Sequence, residues 1–380
     1  MMIHVNNEGC CGCTACSAIC NHKAISMVPD ALGFLYPKVD MNRCTNCGLC
    51  QQICSFNDKY DKQMNIAEPI AFAVRHKDIN EVETSRSGAA FIALSDKILE
   101  MGGVVYGAGF SKQFEVIHKR ATTKEERNEF KGSKYTQSLL GDTFFKVKND
   151  LQNGLKVMFS GTACQTAGLN AYVGKKYRAN LFLVDIICHG VASPFVWQDY
   201  LNYLEKKERD KIISVDFRNK KIFGWSGVHK ESFTFKKKGL KTYNYTFYNP
   251  YMIRHSCNEC VFANTCRLSD ITLGDFWGWE KAVPGFNTDD KGISLVLCNT
   301  QKGKELFDSI RPDIQTKQVQ LKDCLQPNLQ HPTLKDPKRE EFENDYKQYG
   351  FKFIMKKYGD VGIMFHIKRV KRFMKRILKF

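Results

Sequence analysis

The sequence predicts two folded units in series: a small cysteine-rich α+β domain, then an α/β domain on a largely parallel mixed sheet, closed by a C-terminal basic helix. Three observations carry this. One cysteine spacing occurs twice within the first fifty-four residues, apolar runs of strand length alternate with longer helical stretches from residue 69 onward, and the last residues set cations between regularly spaced apolar ones. The predicted boundaries are 1–60 for the first unit, 69–335 for the second (with parts 69–150 and 151–335) and 339–380 for the tail.

The repeated spacing is Cys10-x2-Cys13-x2-Cys16-x3-Cys20 and Cys44-x2-Cys47-x2-Cys50-x3-Cys54. It is the ligand run of a ferredoxin-like domain with two [4Fe-4S] clusters: three thiolates on a tight loop wrap one cube, and the fourth turns toward the other cluster. The first cluster therefore takes Cys10, Cys13, Cys16 and Cys54, and the second Cys44, Cys47, Cys50 and Cys20. Both runs end without the proline that usually follows, in Cys20-Asn21 and Cys54-Ser55. A disulfide scaffold or a zinc site would not call for this doubled regularity. Cys11 has no place in the pattern and reads as a spare thiol.

At 380 residues the chain is too long for this domain alone. No run of eighteen apolar residues and no basic-then-apolar N-terminal signal occur, so the expectation is a soluble cytoplasmic protein. Sixteen cysteines in that setting speak for metal ligation rather than disulfides. The formal charge of +17 overstates the basicity, because four thiolates leave each iron–sulfur cluster roughly 2−. What remains is a basic surface suited to an anionic cofactor, an anionic membrane or nucleic acid.

Residues 57–68 are polar without apolar periodicity and read as a linker. Beyond them Ile70–Val74 reads as a strand, Gly88–Met101 as a helix, Val104–Phe110 as a strand and Phe114–Arg120 as another by its alternation. Lys156–Phe159 and Leu181–Ile187 are apolar strands, each leading into a loop and a helix. Residues 231–248 read as a hairpin about the basic turn Lys236–Gly239, Ser294–Cys298 as a late strand and Gln301–Ile310 as a helix. Alternation of this kind implies an α/β layer.

A third cysteine group stands at Cys257-x2-Cys260-x5-Cys266. Three ligands leave one position, and Cys188, at the end of a predicted strand, is preferred over Cys164, Cys298 or Cys324. The group suits a third [4Fe-4S] cluster, with a four-cysteine zinc site as the alternative. Three loops combine small residues with donors: Ser87-Gly88 before a helix, Lys131-Gly132-Ser133-Lys134-Tyr135, and Gly161-Thr162-Ala163-Cys164-Gln165 after a strand. Exposed N–H groups at helix starts bind phosphate, so these loops outline a cofactor crevice. A one-electron cluster chain beside such a crevice calls for a carrier that also handles electron pairs, and flavin is the usual one. Neither a GxGxxG fingerprint nor a P-loop is present. His189 stands where it would donate a proton to a reduced ligand, or else hydrogen-bond the loop and tune the neighbouring cluster. Asp275 either lines the pocket or, with Phe276 and Trp277, belongs to the core; Cys164 as a nucleophile lacks a marked base.

From Ala71 to about Val296 the chain resembles the beta subunits of coenzyme F420 hydrogenase and dehydrogenase. The resemblance is carried by Ser85-Arg86-Ser87-Gly88-Ala89, Phe130-Lys131-Gly132-Ser133-Lys134-Tyr135, Phe159-Ser160-Gly161-Thr162-Ala163-Cys164-Gln165, Cys188-His189-Gly190-Val191 and the segment Ser269 to Gly278. It implies an FAD-containing iron–sulfur protein in which electrons pass between clusters and a deazaflavin (coenzyme F420) or similar acceptor, with a cluster near Cys188, Cys257, Cys260 and Cys266. Two departures stand out: the family commonly has Ser-Gly-Gly where this chain has Ser87-Gly88-Ala89, and Gly-Thr-Pro-Cys-Gln where it has Gly161-Thr162-Ala163-Cys164-Gln165.

In the tail, Ile363, Ile367, Val370, Met374 and Ile377 recur at steps of four and three among seven Lys and Arg residues. Such a basic amphipathic helix suits an anionic membrane surface, peripheral to the inner face, or an acidic partner; it equally suits a cover for the protein's own core. The resulting reading is an iron–sulfur flavoprotein oxidoreductase that exchanges electrons with ferredoxin or another redox partner protein and with a small-molecule acceptor, in either direction. Its rival is a non-catalytic subunit that relays electrons to a partner enzyme. Nucleic acid ranks last, because no recognition module is recognisable.

Overall fold

The computed structural model describes residues 9–56, 65–227, 230–243 and 249–359. Most of the linker (57–64), the second half of the hairpin's last strand (244–248) and the basic helix expected from residue 363 lie outside the described residues.

Thirteen strands are described: β1 (Ile25–Pro29), β2 (Leu35–Val39), β3 (Asn65–His76), β4 (Val104–Phe110), β5 (Val116–Ala121), β6 (Val157–Thr162), β7 (Leu181–Ile186), β8 (Ile212–Asp216), β9 (Glu231–Phe235), β10 (Gly239–Tyr243), β11 (Ile271–Asp275), β12 (Ser294–Thr300) and β13 (Ile314–Val319). β1 and β2 form an antiparallel hairpin in the N-terminal unit, with Ile25 opposite Val39. β8, β9 and β10 form a small antiparallel sheet whose last turn is the predicted basic one. The remaining eight make one sheet in the order β13-β3-β12-β11-β7-β6-β4-β5.

Three ladders of that sheet are parallel, β4–β6, β6–β7 and β7–β11. Four are antiparallel, β4–β5, β11–β12, β12–β3 and β3–β13. The sheet is thus mixed α/β rather than largely parallel. Apolar runs reveal which segments are buried but not which way they point, and that direction depends on connections. The helix Ala163–Val173 crosses over between β6 and β7 and keeps them parallel, whereas β3 returns beside β12 from the far end of the sequence. All seven residues of β12 are buried, as a central strand covered on both faces requires.

The two units share a core. Cys11, Cys13, Ala15 and Ile53 pack in one apolar cluster with Val104, Phe159, Leu169 and Leu183 of the sheet layer. Leu32 and Phe34, at the hairpin tip, pack with Val196 and Trp197 of the helix Pro194–Glu208. Each buried Leu, Ile, Val or Phe among these contributes about 1.5–3 kcal/mol, so the N-terminal cysteine loops are held against the sheet by apolar contact. At the other end, the helical segment Arg339–Lys357 breaks at Gly350 (φ 70°) and buries Phe342, Phe351 and Ile354 in the Trp197 cluster.

Candidate functional site

The loops carrying the N-terminal cysteines bring them together in two crossed groups. Cys16 is half-enclosed by Cys13, Cys10 and Cys54: burial, then the three neighbouring thiols, push its own thiol well above the ordinary range. Cys20, Cys44, Cys47 and Cys50 line a second recess of roughly 410 Å³ including its mouth, floored by Ile19, Ile25 and Val39. Thiolates crowded in this way repel one another and are relieved by bound metal. Backbone N–H groups point at two of the sulfurs, Gly12 N to Cys10 Sγ and Ala24 N to Cys20 Sγ, each at 3.4 Å. Such hydrogen bonds to cluster sulfurs raise reduction potentials.

A third recess, of roughly 580 Å³ including its mouth, lies where β6 and β7 end. Cys164, Cys188, Cys257 and Cys260 line it, together with Cys11, Arg254 and Arg267. Burial first, and then Cys164, push the thiols of Cys257 and Cys260 up to about 12 and about 11. Cys188 is raised too, by burial and then by Cys257 and Cys164, while Gly190 N donates to its Sγ at 3.3 Å. Cys164 behaves oppositely. A hydrogen bond from the Cys11 thiol lowers it, and Thr162 Oγ1 lies 3.1 Å from its sulfur. Cys266 is exposed and does not line this recess. Among the described residues no three Cys, His, Asp or Glu side chains gather as they would about a single ion. Ligands of a cube stand farther apart, because each binds a different corner iron.

Next to the third recess, at the carboxyl ends of β7 and β11, lies a cluster of cationic side chains about Asp275. Asp275 ends β11 and accepts a hydrogen bond from Arg218 Nη1 at 2.8 Å, with Arg86 Nε at 3.9 Å. The Nε atoms of Arg86 and Arg218 are buried without a hydrogen-bond partner. Lys220 donates to Ser87 O at 3.2 Å and Lys291 O at 2.5 Å, and burial, then Arg86, bring its amine down to about 7. Arg218 also sits 5.3 Å above the ring of Trp277, which stacks on Trp225 at 4.6 Å. Arg86, Arg218 and Lys220 thus face Asp275, with Asp216 also acting on Arg86 and Glu83 on Lys220. His189 borders this cluster on the exposed side; the desolvation it does suffer lowers its imidazole, Asp275 opposes this and Arg218 reinforces it. A neutral imidazole there can give or take a proton.

The remaining loop residues are placed as follows. Ser87 Oγ donates to Ile293 O at 2.5 Å and Gly88 O accepts from His76 N at 2.8 Å, so this loop is tied to the sheet. Ala89 stands at φ 64°, a left-handed conformation that costs a Cβ-bearing residue roughly 1–2 kcal/mol and that glycine adopts freely. Lys131 pairs with Glu81 at 2.6 Å, and Lys134 spends its amine on the carbonyls of Lys131 (2.9 Å) and Glu129 (3.0 Å). Both lysines brace the loop, and neighbouring Ser133 is half-buried. Tyr135 reaches the cationic cluster, its hydroxyl accepting from Arg218 Nη1 at 3.4 Å. Gln165 Oε1 accepts from Thr162 N at 3.0 Å, closing the first turn of the helix that follows Gly161.

The structure therefore gathers Cys188, Cys257 and Cys260 without Cys266, and His189, Tyr135 and Asp275 without Lys131 or Lys134. Arg218, Lys220 and Arg254 were not singled out from the sequence. They sit in stretches with no motif, and only proximity to Asp275 or to the cysteines marks them.

Residues 154–323 match the family model for the C terminus of the beta subunit of coenzyme F420 hydrogenase/dehydrogenase, and residues 9–57 that of the 4Fe-4S dicluster domain. A chain of the F420-reducing [NiFe] hydrogenase complex from Methanosarcina barkeri is 18% identical, with a TM-score of 0.47, over 68% of this chain and 85% of that one. No curated protein matches. Among the described residues no helix is long and apolar enough to cross a membrane.

Proposed function

We propose that the protein is an iron–sulfur flavoprotein oxidoreductase that carries electrons between its N-terminal clusters and an organic acceptor bound beside FAD. The two N-terminal groups would hold one [4Fe-4S] cluster each, Cys10, Cys13, Cys16 and Cys54 the first, Cys44, Cys47, Cys50 and Cys20 the second. For the third cluster we assign Cys188, Cys257 and Cys260 with Cys164, not Cys266, as the fourth ligand. The observation that carries the reading is contiguity: the Cys164–Cys188 recess touches the N-terminal loop through Cys11 and the cationic cluster about Asp275 through Cys188-His189.

FAD, when bound, supplies the exchange between single electrons and electron pairs. The chain's residues fit it by charge: Arg86 and Arg218 have buried Nε atoms without a hydrogen-bond partner and share the single carboxylate of Asp275 within 4 Å. Arg218 and Arg86 would bind its phosphates, Trp277 and Tyr135 would exclude water from the reacting face, and His189 Nε2 or Nδ1 would hold the proton that accompanies the electron pair. Coenzyme F420, itself an anionic deazaflavin, suits the same positive field. Cys47, exposed at the second recess, marks the side on which a ferredoxin or other redox partner would dock.

Anaerobic purification with iron, sulfide and flavin measured together tests this. About twelve irons and one FAD per chain are expected. Cys164→Ala is expected to lose about four irons and Cys266→Ala none. Eight irons in the parent protein, or iron loss from Cys266→Ala alone, would overturn the assignment.

A further inference from the structure

We infer that Arg254 is the positioning residue that joins the first N-terminal cysteine group to the third recess and, as a fixed positive charge between them, sets the reduction potential of the clusters on both sides. This rests on the reading above that both sites hold clusters. Arg254 stands three residues before Cys257, with its N–H on Val191 O (3.0 Å) and its carbonyl accepting from Cys257 N (3.0 Å). Its side chain leaves that loop for the other unit. Nε donates to Cys10 O at 2.6 Å, Nη2 to Leu35 O at 2.9 Å and Nη1 to Gln137 Oε1 at 2.9 Å, while Gln137 Nε2 donates to Cys11 O at 3.0 Å. The guanidinium stacks 4.1 Å over Tyr36, and a Cβ at Gly12 would come within 2.8 Å of Nη1.

The side chain is fully buried, at 0% exposure, and no carboxylate among the described residues pairs with it; the other arginine of the recess, Arg267, pairs with Asp185 at 3.5 Å. A buried cation whose acceptors are three neutral oxygens is costly unless a negative charge lies near. Its guanidinium touches the Cys10 carbonyl on one side and lines the recess of Cys164, Cys188, Cys257 and Cys260 on the other. Clusters bearing net negative charge on those sulfurs supply the missing counter-charge, and reduction adds one more negative charge, which Arg254 favours. Transfer between the two sites moves one electron and no proton: the cluster on one side is oxidised, the one on the other side is reduced, and Arg254 keeps its charge throughout.

The test is a redox titration of the full-length reconstituted protein, read by electron paramagnetic resonance, for the parent, Arg254→Gln and Arg254→Lys, with iron counted in each. Arg254→Gln is expected to keep its iron and to shift the reduction equilibrium of at least one cluster tenfold or more toward the oxidised form, which is 59 mV per electron. Arg254→Lys, which keeps the charge, should stay within threefold of the parent. Should Arg254→Gln lose iron, retention of iron and potential by Arg254→Lys supports the charge requirement. Unchanged potentials in an iron-replete Arg254→Gln, equal shifts in both variants, or iron loss from both overturn the proposal. The parent's own iron count decides separately whether the third site holds a cluster.

Discussion

Gly168 lies inside the helix Ala163–Val173 and faces the first cysteine loop. A Cβ there would sit 2.7 Å from Cys13 Sγ and 2.8 Å from Cys13 Cβ, with Phe144 at 3.6 Å behind. Carbon contacts settle at roughly 3.5–4.0 Å, so Gly168→Ala forces a displacement of about 1 Å. Helix propensity favours alanine by about 1 kcal/mol. Overpacking a core costs about 1–3 kcal/mol, and the upper part of that range applies because the loop cannot retreat: Cys10 O and Cys11 O are held by Arg254 and Gln137. The expected net loss is about 1–2 kcal/mol, read as a lowered urea midpoint of the anaerobic protein. In a Cys13→Gly background, which removes both Sγ and Cβ, the obstacle is gone, and adding Gly168→Ala should be neutral or stabilising. If Gly168→Ala lowers stability equally in both backgrounds, contact with Cys13 is not the cause.

Three further outcomes follow from buried polar groups. Asp270 is fully buried and accepts from Arg178 Nη1 (2.9 Å), Leu183 N (2.8 Å) and Thr300 Oγ1 (2.8 Å), so Asp270→Ala should cost about 3–5 kcal/mol by denaturant titration; a loss below 1 kcal/mol would refute a structural role. His118 Nε2 donates to Ser160 O at 3.1 Å, its Nδ1 is buried without a hydrogen-bond partner, and burial brings its imidazole down to about 4. The unfolded chain therefore binds the proton first, and stability present above pH 6.5 falls as pH drops toward 4, by about 1.4 kcal/mol at pH 5.5. His118→Phe should remove that slope between pH 7.5 and 5.5; an unchanged slope would show that other groups cause it. Finally, Arg218→Met removes the closest cation of Asp275, and the lost charged hydrogen bonds, about 1.5–3 kcal/mol, should weaken FAD retention at least tenfold with iron unchanged; full flavin retention after gel filtration would place FAD elsewhere.

Local signals carried much of the architecture. Val104–Phe110 is a strand with the bounds expected, and Leu181–Ile186, Ser294–Thr300 and Gln301–Ser309 fall within a residue or two of theirs. The strands are short apolar runs and the helix a longer mixed one, so length and composition separate them. β11 and β13 were missed. β11 is polar at Thr272 and Asp275, and β13 is an edge strand whose polar face, Gln315 and Lys317, hides its apolar residues. Ala89 is a case where sequence and structure illuminate each other: the departure from a second glycine falls on a left-handed backbone position.

The sequence by itself determined the kind of chemistry. Cysteine spacing within a loop is a local property, so the crossed sets of four could be written down before any fold was known. The order of strands, the mixed direction of the sheet and which cysteines line the third recess were decided by tertiary structure. Cys164 and Cys257 stand ninety-three residues apart, and they meet only because β6 and β7 end side by side and the Cys257 loop folds back over them. Cys266, near in sequence, is turned to solvent. Arg254 makes the same point most sharply, since an unremarkable arginine acquires its meaning from being buried between two cysteine groups that the chain's path brings together.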